Sequence, residues 1–271
     1  MRRFLRAWLP PVAHRALGRV SGHSTYFTAG WSGWRDAAAA ATGYDAPAIL
    51  ARVVQATREV EAGRAAFERD SVTFKEWQPR FPLVAALLRH ALQHGAKLDV
   101  VDFGGALGSS YRLCKPFLPQ LADLRWQVIE QPHFVEAGRR EFSSETLSFY
   151  ETLEELPQRV APRIILACSS LQYLADPDRA LNDWNASGAV ALFLDRTPVW
   201  EGSSHMAVVQ TVPHHIYPGS YPCWLVSRST LMTQMAAGWR LVSEFDCDEG
   251  SAVARRGPPF EFRGFLWDRA P

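Results

Sequence analysis

The chain has 271 residues, 47% of them apolar and 21% charged, the composition of a globular protein of one or two domains rather than of a disordered or collagen-like chain. No apolar run is long enough for a spanning helix. The net charge of +1 hides an asymmetry: Arg2, Arg3, Arg6, Arg15, Arg19 and Arg35 precede the first acid, Asp36, and the rest carries 23 cationic against 28 acidic side chains, which disfavours nucleic acid as a partner.

In chain order, the N-terminal stretch places Phe4, Leu5, Trp8, Leu9 and Val12 on one helical face among arginines, a pattern suited to weak contact with an anionic membrane surface. Arg6 and the pair Pro10 and Pro11 interrupt it as a signal peptide, so a cytoplasmic location is expected, peripheral at the inner membrane if that contact is made. Residues 32–96 then read as helical. An alanine-rich run follows Asp36, Ile49, Val53, Val54 and Val60 recur at helical spacing, and Leu83, Leu87, Leu88 and Leu92 do so again.

After Gly95 the period shortens. Apolar strands are expected at 98–103, 126–130, 147–150, 164–167 and 189–195, separated by crossovers of the length that βαβ units need. A long excursion, 198–227, leads to a helix at 229–237. Strands at 239–245 and 260–267 are joined without a helix and so form an antiparallel pair. The fold expected is α/β, a Rossmann-like, mostly parallel sheet over 96–271 with that C-terminal antiparallel pair, behind an N-terminal helical cap over 1–95. Cys114, Cys168, Cys223 and Cys247 form no C-x-x-C pair and read as reduced, mostly buried thiols.

The strongest chemical signal is the run from Asp102 through Gly104, Gly105, Ala106, Leu107 and Gly108 to Ser109, directly after the first parallel strand and opening a helix. Glycines there let the backbone turn sharply and approach a ligand at the carboxyl end of the strand. A dinucleotide fingerprint starting at Gly104 needs glycine at 106 and 109, where the chain has Ala106 and Ser109, so the NAD reading fails on spacing. The next strand ends in Glu130, followed by Gln131, and an acid at that point can accept the two hydroxyls of a ribose. The fourth strand runs into Ser169, Ser170 and Gln172, then Asp176 and Pro177.

Beyond the fifth strand stand the candidates for handling a proton: Asp195 with its neighbour Arg196, and His214, His215, Tyr217 and Tyr221 in the excursion. Trp200, Tyr217, Tyr221 and Trp224 give that excursion rings that can stack on a sugar, with packing onto the sheet the simpler role for Trp224. Asp176, Asp178 and Asp183 read as a solvated helix start, and no metal site is expected.

Asp102, Gly104 and Gly108 resemble the first motif of class I S-adenosylmethionine-dependent methyltransferases. The segment 168–177 resembles that superfamily's fourth-strand segment, although Gln172 and Tyr173 stand where histidines are frequent. More closely, the stretches GWSGWRDAAAAATGYD, FERDSV, VDFGGALGSSY, WQVIEQP, SSLQYLADP, LDRTP, YPGSYPCW and FRGFLWDR together resemble a family of bacterial methyltransferases of this size, associated with gene clusters for cell-surface polysaccharides including O-antigens. The resemblance covers about residues 26–269. It implies a class I methyltransferase fold, S-adenosyl-L-methionine as cofactor, and a saccharide or glycan precursor as the methylated substrate. On that reading Asp102, Gly104, Gly105, Gly108, Ser109, Glu130, Gln131, Ser169, Ser170 and Gln172 bind the cofactor, and His214, Tyr217, Asp195 and Tyr221 are the catalytic candidates. The alternative, favoured by Ala106 and by the absence of histidines at 172 and 173, is a non-catalytic module of the same fold in a polysaccharide assembly complex.

Overall fold

The structure is a computed structural model that describes residues 24–42, 46–69, 71–119, 121, 123–158, 162–212 and 219–270. The amphipathic N-terminal stretch, His214, His215 and Tyr217 lie outside the described residues.

Five strands run parallel in the order β6 (Leu147–Tyr150), β5 (Asp123–Ile129), β4 (Lys97–Phe103), β7 (Arg163–Cys168), β8 (Ala191–Trp200). Strands β4 and β7 are buried along nearly their whole length, which is why they read as continuous apolar runs rather than alternating ones. The sheet continues into β12 (Pro259–Arg269), antiparallel to β8, and β11 (Trp239–Arg255), antiparallel to β12. The expected C-terminal hairpin is therefore present.

Beyond β11 the sheet departs from expectation. Strand β1 (Ser24–Thr28) pairs with β11 in parallel, β9 (Met206–Thr211) with β1 antiparallel, and β10 (Ser220–Ser227) with β9 antiparallel. Val226 and Ser227 of β10 then pair with Val199 and Trp200, back on β8. The far halves of β8, β12 and β11 thus close with β1, β9 and β10 into a six-stranded ring. The sheet is mixed rather than mostly parallel, and the excursion 198–227 supplies β9 and β10 to that ring. Closing the circuit removes the open edge that β11 would otherwise present. Phe27, Val208, Cys223, Leu225, Ala254 and Phe260 fill the ring, with the Phe27 and Phe260 rings 5.0 Å apart edge to face. Phe260→Ala is expected to cost about 3–5 kcal/mol by leaving a cavity in so small a core, read as a lowered urea midpoint at unchanged slope.

The segment before β4 is also not purely helical. It holds α1 (Trp34–Ala40), α2 (Ala46–Glu61) and α3 (Phe81–Gln93), but between the last two a hairpin of β2 (Phe67–Arg69) and β3 (Val72–Phe74) interrupts the helical pattern, its Phe67 and Phe74 rings stacked at 4.5 Å. One face of the sheet is covered by α2, α3, α4 (Ser109–Cys114) and α5 (Pro132–Glu141), through residues such as Val53, Leu87, Tyr111 and Phe134. The other is covered by α6 (Pro177–Ala186) and α7 (Arg228–Met235), through Leu181, Trp184 and Leu231. The four cysteines are free thiols, and Cys114, Cys223 and Cys247 are buried. Among the described residues no helix is long and apolar enough to cross a membrane.

Candidate functional site at the carboxyl ends of the parallel strands

From β4 the strand order runs one way to β5 and β6 and the other way to β7 and β8, so the chain reverses direction between β4 and β7. The crevice outside the carboxyl ends at such a reversal is where open α/β sheets bind ligands. Three non-glycine residues with left-handed backbone sit there: Ala106 (φ 50°) in the turn after β4, Ser169 (φ 62°) after β7 and Arg196 (φ 52°) in β8. Each such conformation costs on the order of 1–2 kcal/mol, and strain of this kind concentrates at functional sites.

The loop after β4 is held from three sides. Gly104 (φ 71°) donates its N–H to the Ile129 carbonyl at 2.9 Å, and a Cβ there would lie 2.6 Å from the Ser170 Cβ. A Cβ on Gly105 would lie 2.6 Å from the Asp102 carboxyl group, and one on Gly108 (φ 89°) 2.9 Å from Leu147. These glycines are required by close packing, and Arg112 fixes the far side by donating to the Leu107 carbonyl.

Asp102 is fully buried beneath Gly105 and accepts the Trp126 indole N–H at 3.0 Å. It braces the loop from below rather than facing the crevice. Burial pushes its carboxyl up to about 7, with the Glu130 charge adding to the rise and the Trp126 hydrogen bond and Arg196 opposing it. Unfolded, the group titrates near its ordinary 3.8, so between about pH 4 and pH 7 the native chain holds a proton that the unfolded chain has released. That difference lowers native stability as pH rises through the window and adds no slope above it. Asp102→Asn is expected to abolish this contribution in urea unfolding followed against pH. An unaltered slope would show that Asp102 does not titrate there.

Glu130, past the end of β5, turns its carboxylate back to the loop: Oε1 accepts the Ala106 N–H at 3.2 Å and Oε2 the Gln131 N–H at 2.8 Å. Burial raises its carboxyl above the usual range, and the two backbone donors oppose the rise. Gln131 itself is exposed at the N-terminus of α5. The structure brings Gly104, Gly105, Gly108 and Glu130 together at the carboxyl ends of β4 and β5.

Across the crevice, Ser170 donates to the Phe103 carbonyl at 2.7 Å, tying the end of β7 to the end of β4. Gln172, in a short 3-10 turn at Leu171–Tyr173, is buried; its Nε2 donates to Ser169 Oγ at 3.0 Å and to the Arg196 carbonyl at 3.3 Å, while its Oε1 has no hydrogen-bond partner. Tyr173 donates to Gln210 of β9 at 2.6 Å and meets Tyr221 of β10 edge to face at 6.2 Å. Trp224 donates to the Leu174 carbonyl at 3.0 Å and stacks on Trp34 at 5.5 Å, the packing role read for it above. The ring thus presents aromatic side chains beside the polar end of β7.

Two features were not legible beforehand. Asp195 is claimed chiefly by Arg80, which lies 115 residues away, with Nε 2.6 Å from Oδ2 and Nη2 donating to Oδ1 at 3.0 Å, whereas its neighbour Arg196 stands 4.0 Å off. And the β2–β3 hairpin, with the chain to Arg80, forms a strap across the crevice: Glu68 accepts the Ser109 hydroxyl beside the glycine loop, and Arg69 lies 3.7 Å from Glu249 of β11. His205 is another polar residue outside the candidates. Its Nδ1 accepts the Ser227 N–H at 2.9 Å, which puts the ring proton on Nε2, 3.0 Å from Asp178. Among the described residues no group of three or more His, Cys, Asp or Glu is placed to hold a metal ion.

Strand order, glycine loop and crevice define an α/β fold with a ligand-binding crevice where the strand order reverses. No protein-family model matches the sequence, and no curated protein does. Among solved structures, the chain is similar to the N-terminal domain of EvdMO1, determined in the presence of SAH and D-fucose, over 84% of this chain and 98% of that one, at 13% identity and TM-score 0.49. It is also similar to the Burkholderia thailandensis 1,6-didemethyltoxoflavin-N1-methyltransferase with bound 1,6-didemethyltoxoflavin and S-adenosylhomocysteine, over 85% and 93%, at 14% identity and TM-score 0.41. Human N-acetylserotonin methyltransferase in complex with SAM matches over 81% and 56%, at 15% identity and TM-score 0.44.

Proposed function

We propose that this protein is an S-adenosylmethionine-dependent methyltransferase acting on a hydroxyl of a saccharide or glycan precursor, as its resemblance to the polysaccharide-associated family implies. The observation that carries the reading is the convergence of the glycine loop, Glu130 and the polar end of β7 on the crevice between β4 and β7. Two features of the crevice fit the cofactor. The loop leaves no room for a Cβ at Gly104 or Gly105, and the buried Gln172 Oε1 at the end of β7 has no hydrogen-bond partner.

S-adenosylmethionine, when bound, supplies a methyl group on a sulfonium that is displaced in line by the acceptor oxygen. The work left to the protein is orientation and the removal of one proton. Backbone at 104–108 receives the nucleoside end, and Glu130 accepts the ribose hydroxyls with the lone pairs its two loop contacts leave over. Ser169, Ser170 and Gln172, at the end of β7, would hold the cofactor on that side of the crevice. Tyr173 and Tyr221 flank the acceptor, where aromatic faces suit the apolar face of a sugar ring. Asp195, fixed by Arg80, orients rather than accepts the proton. That step falls to His214, Tyr217 or Tyr221. The arginine-rich first residues serve, on this account, to keep a cytoplasmic enzyme near the inner membrane surface.

The test is incubation of the full chain with methyl-labelled S-adenosylmethionine and a glycan extract of the producing organism, followed by mass analysis. A saccharide that gains one methyl group is the expected result. Label that appears only in non-saccharide material would overturn the acceptor class, and no transfer to any fraction would favour the non-catalytic module.

A further inference from the structure

On the face covered by α6 and α7, the loop between β8 and β9 is pinned in one shape. Trp200 donates its indole N–H to the Ser204 carbonyl at 3.1 Å, and a Cβ on Gly202 would lie 2.0 Å from the Trp200 ring, so the loop lies flat on the indole and admits only glycine there without rearrangement. Its carbonyls take up the hydroxyls at the start of α7. Ser227 and Ser229 donate to the Gly202 carbonyl at 2.6 and 3.2 Å, and Thr230 donates to the Ser203 carbonyl at 3.2 Å. His205 ends the loop and joins it to α6 through Asp178.

Loop, α6 and α7 together border a cavity of about 420 Å³, lined by Asp178, Ser203, Ser229, Thr230, Thr233 and Gln234. That volume lies within the roughly 300–1,000 Å³ of small-molecule sites, but such sites are mostly apolar, whereas every described residue lining this one is polar. Acceptors predominate among them. Ser229 and Thr230 spend their hydroxyl protons on the loop carbonyls and keep their lone pairs. Gln234 commits Nε2 to the Asp178 carbonyl at 2.7 Å and to Asn182 Oδ1 at 3.1 Å, and its buried Oε1 has no hydrogen-bond partner. Asp178 is half-exposed, with Oδ1 held by the His205 ring at 3.0 Å. The described lining includes no cation, so a carboxylate or phosphate would meet acceptors and one like charge, while a neutral ligand rich in hydroxyl donors is matched.

We propose that this cavity is a second binding site, separate from the cofactor crevice, for a neutral sugar residue whose hydroxyls donate to Asp178, Ser229, Thr230 and Gln234. Its connection to the crevice runs through Trp224, which donates to the Leu174 carbonyl just beyond the polar end of β7 and whose ring lies 6.2 Å from that of His205. A glycan that presents one unit for methylation could thus be held by another. Only that pairing with the crevice rests on the methyltransferase reading; the sugar site itself does not. His205 and the loop are positioning elements, because they fix Asp178 and the α7 hydroxyls.

The test is saturation-transfer NMR on the full chain with the methyl glycosides of D-glucose, D-galactose, D-mannose and L-rhamnose, and with methyl D-glucuronide. At least one neutral glycoside should bind the parent saturably, and the glucuronide should bind at least about tenfold more weakly than methyl glucoside because its carboxylate meets Asp178. Thr233 is exposed on α7, so Thr233→Trp fills the cavity without disturbing the core, and it should weaken the sugar at least about tenfold while leaving S-adenosylhomocysteine affinity unchanged. Should that variant fail to fold, Ser229→Tyr, at a second exposed lining position, is read in the same way. No binding of any neutral glycoside to the parent overturns the site, as does sugar affinity that the filling variant leaves at the parent's value. In both cases S-adenosylhomocysteine binding still supports the methyltransferase reading. Sugar binding lost in the variant, in a chain that binds no S-adenosylhomocysteine, keeps the site and removes that reading.

Discussion

Gly104→Ala is expected to weaken S-adenosylhomocysteine binding by roughly a hundredfold. Gly104 has φ 71°, and a left-handed backbone costs an alanine about 1–2 kcal/mol. The added Cβ would also sit 2.6 Å from the Ser170 Cβ, and Ser170 cannot retreat without giving up its 2.7 Å hydrogen bond to the Phe103 carbonyl. Overpacking of this kind costs about 1–3 kcal/mol, so loop and β7 end must separate at a total near 3 kcal/mol, which is roughly a hundredfold in affinity. Calorimetric titration of parent and variant reads the effect. Equal affinities would mean that the nucleoside does not approach this turn.

Glu130→Ala is expected to lower the same affinity by roughly tenfold to a hundredfold, about 1–3 kcal/mol. The carboxylate has two duties, and the substitution removes both. It leaves the ribose hydroxyls unpaired, and it strips the acceptors from the Ala106 and Gln131 N–H groups, so the loop also loses its tie to β5. Glu130→Gln retains one oxygen acceptor and should fall between parent and alanine variant. Because burial raises the Glu130 carboxyl, protonation begins at a higher pH than for an ordinary glutamate. Binding should be at full strength above that raised value and decline as pH falls through it, a decline that Glu130→Gln lacks. An alanine variant that binds as tightly as the parent takes Glu130 out of the site.

What was legible in the sequence follows from how local each feature is. The five parallel strands and the β11–β12 hairpin announce themselves by apolar runs and turn residues, and the glycine loop by its spacing after β4. The ring was not legible, because β1, β9 and β10 are joined by pairings between residues far apart in sequence, such as Phe27 with Gln210 and Val226 with Val199. No local period marks such pairings, and Pro213, Pro218 and Pro222 break up any strand pattern in that part of the sequence. The β2–β3 hairpin was hidden for another reason: strands of three residues are too short to show alternation inside a helical region. The partner of Asp195 is not legible in the sequence either. Adjacency to Arg196 suggests a neighbour pair, whereas the extended backbone of β8 hands the carboxylate to Arg80.

The central claim is that the crevice between β4 and β7 receives S-adenosylmethionine, and the most direct measurement is a calorimetric titration of S-adenosylhomocysteine into the full chain beside Gly104→Ala. The account predicts saturable one-to-one binding to the parent that is nearly lost in the variant. A parent chain that gives no binding heat and no thermal shift with either S-adenosylmethionine or S-adenosylhomocysteine would contradict it.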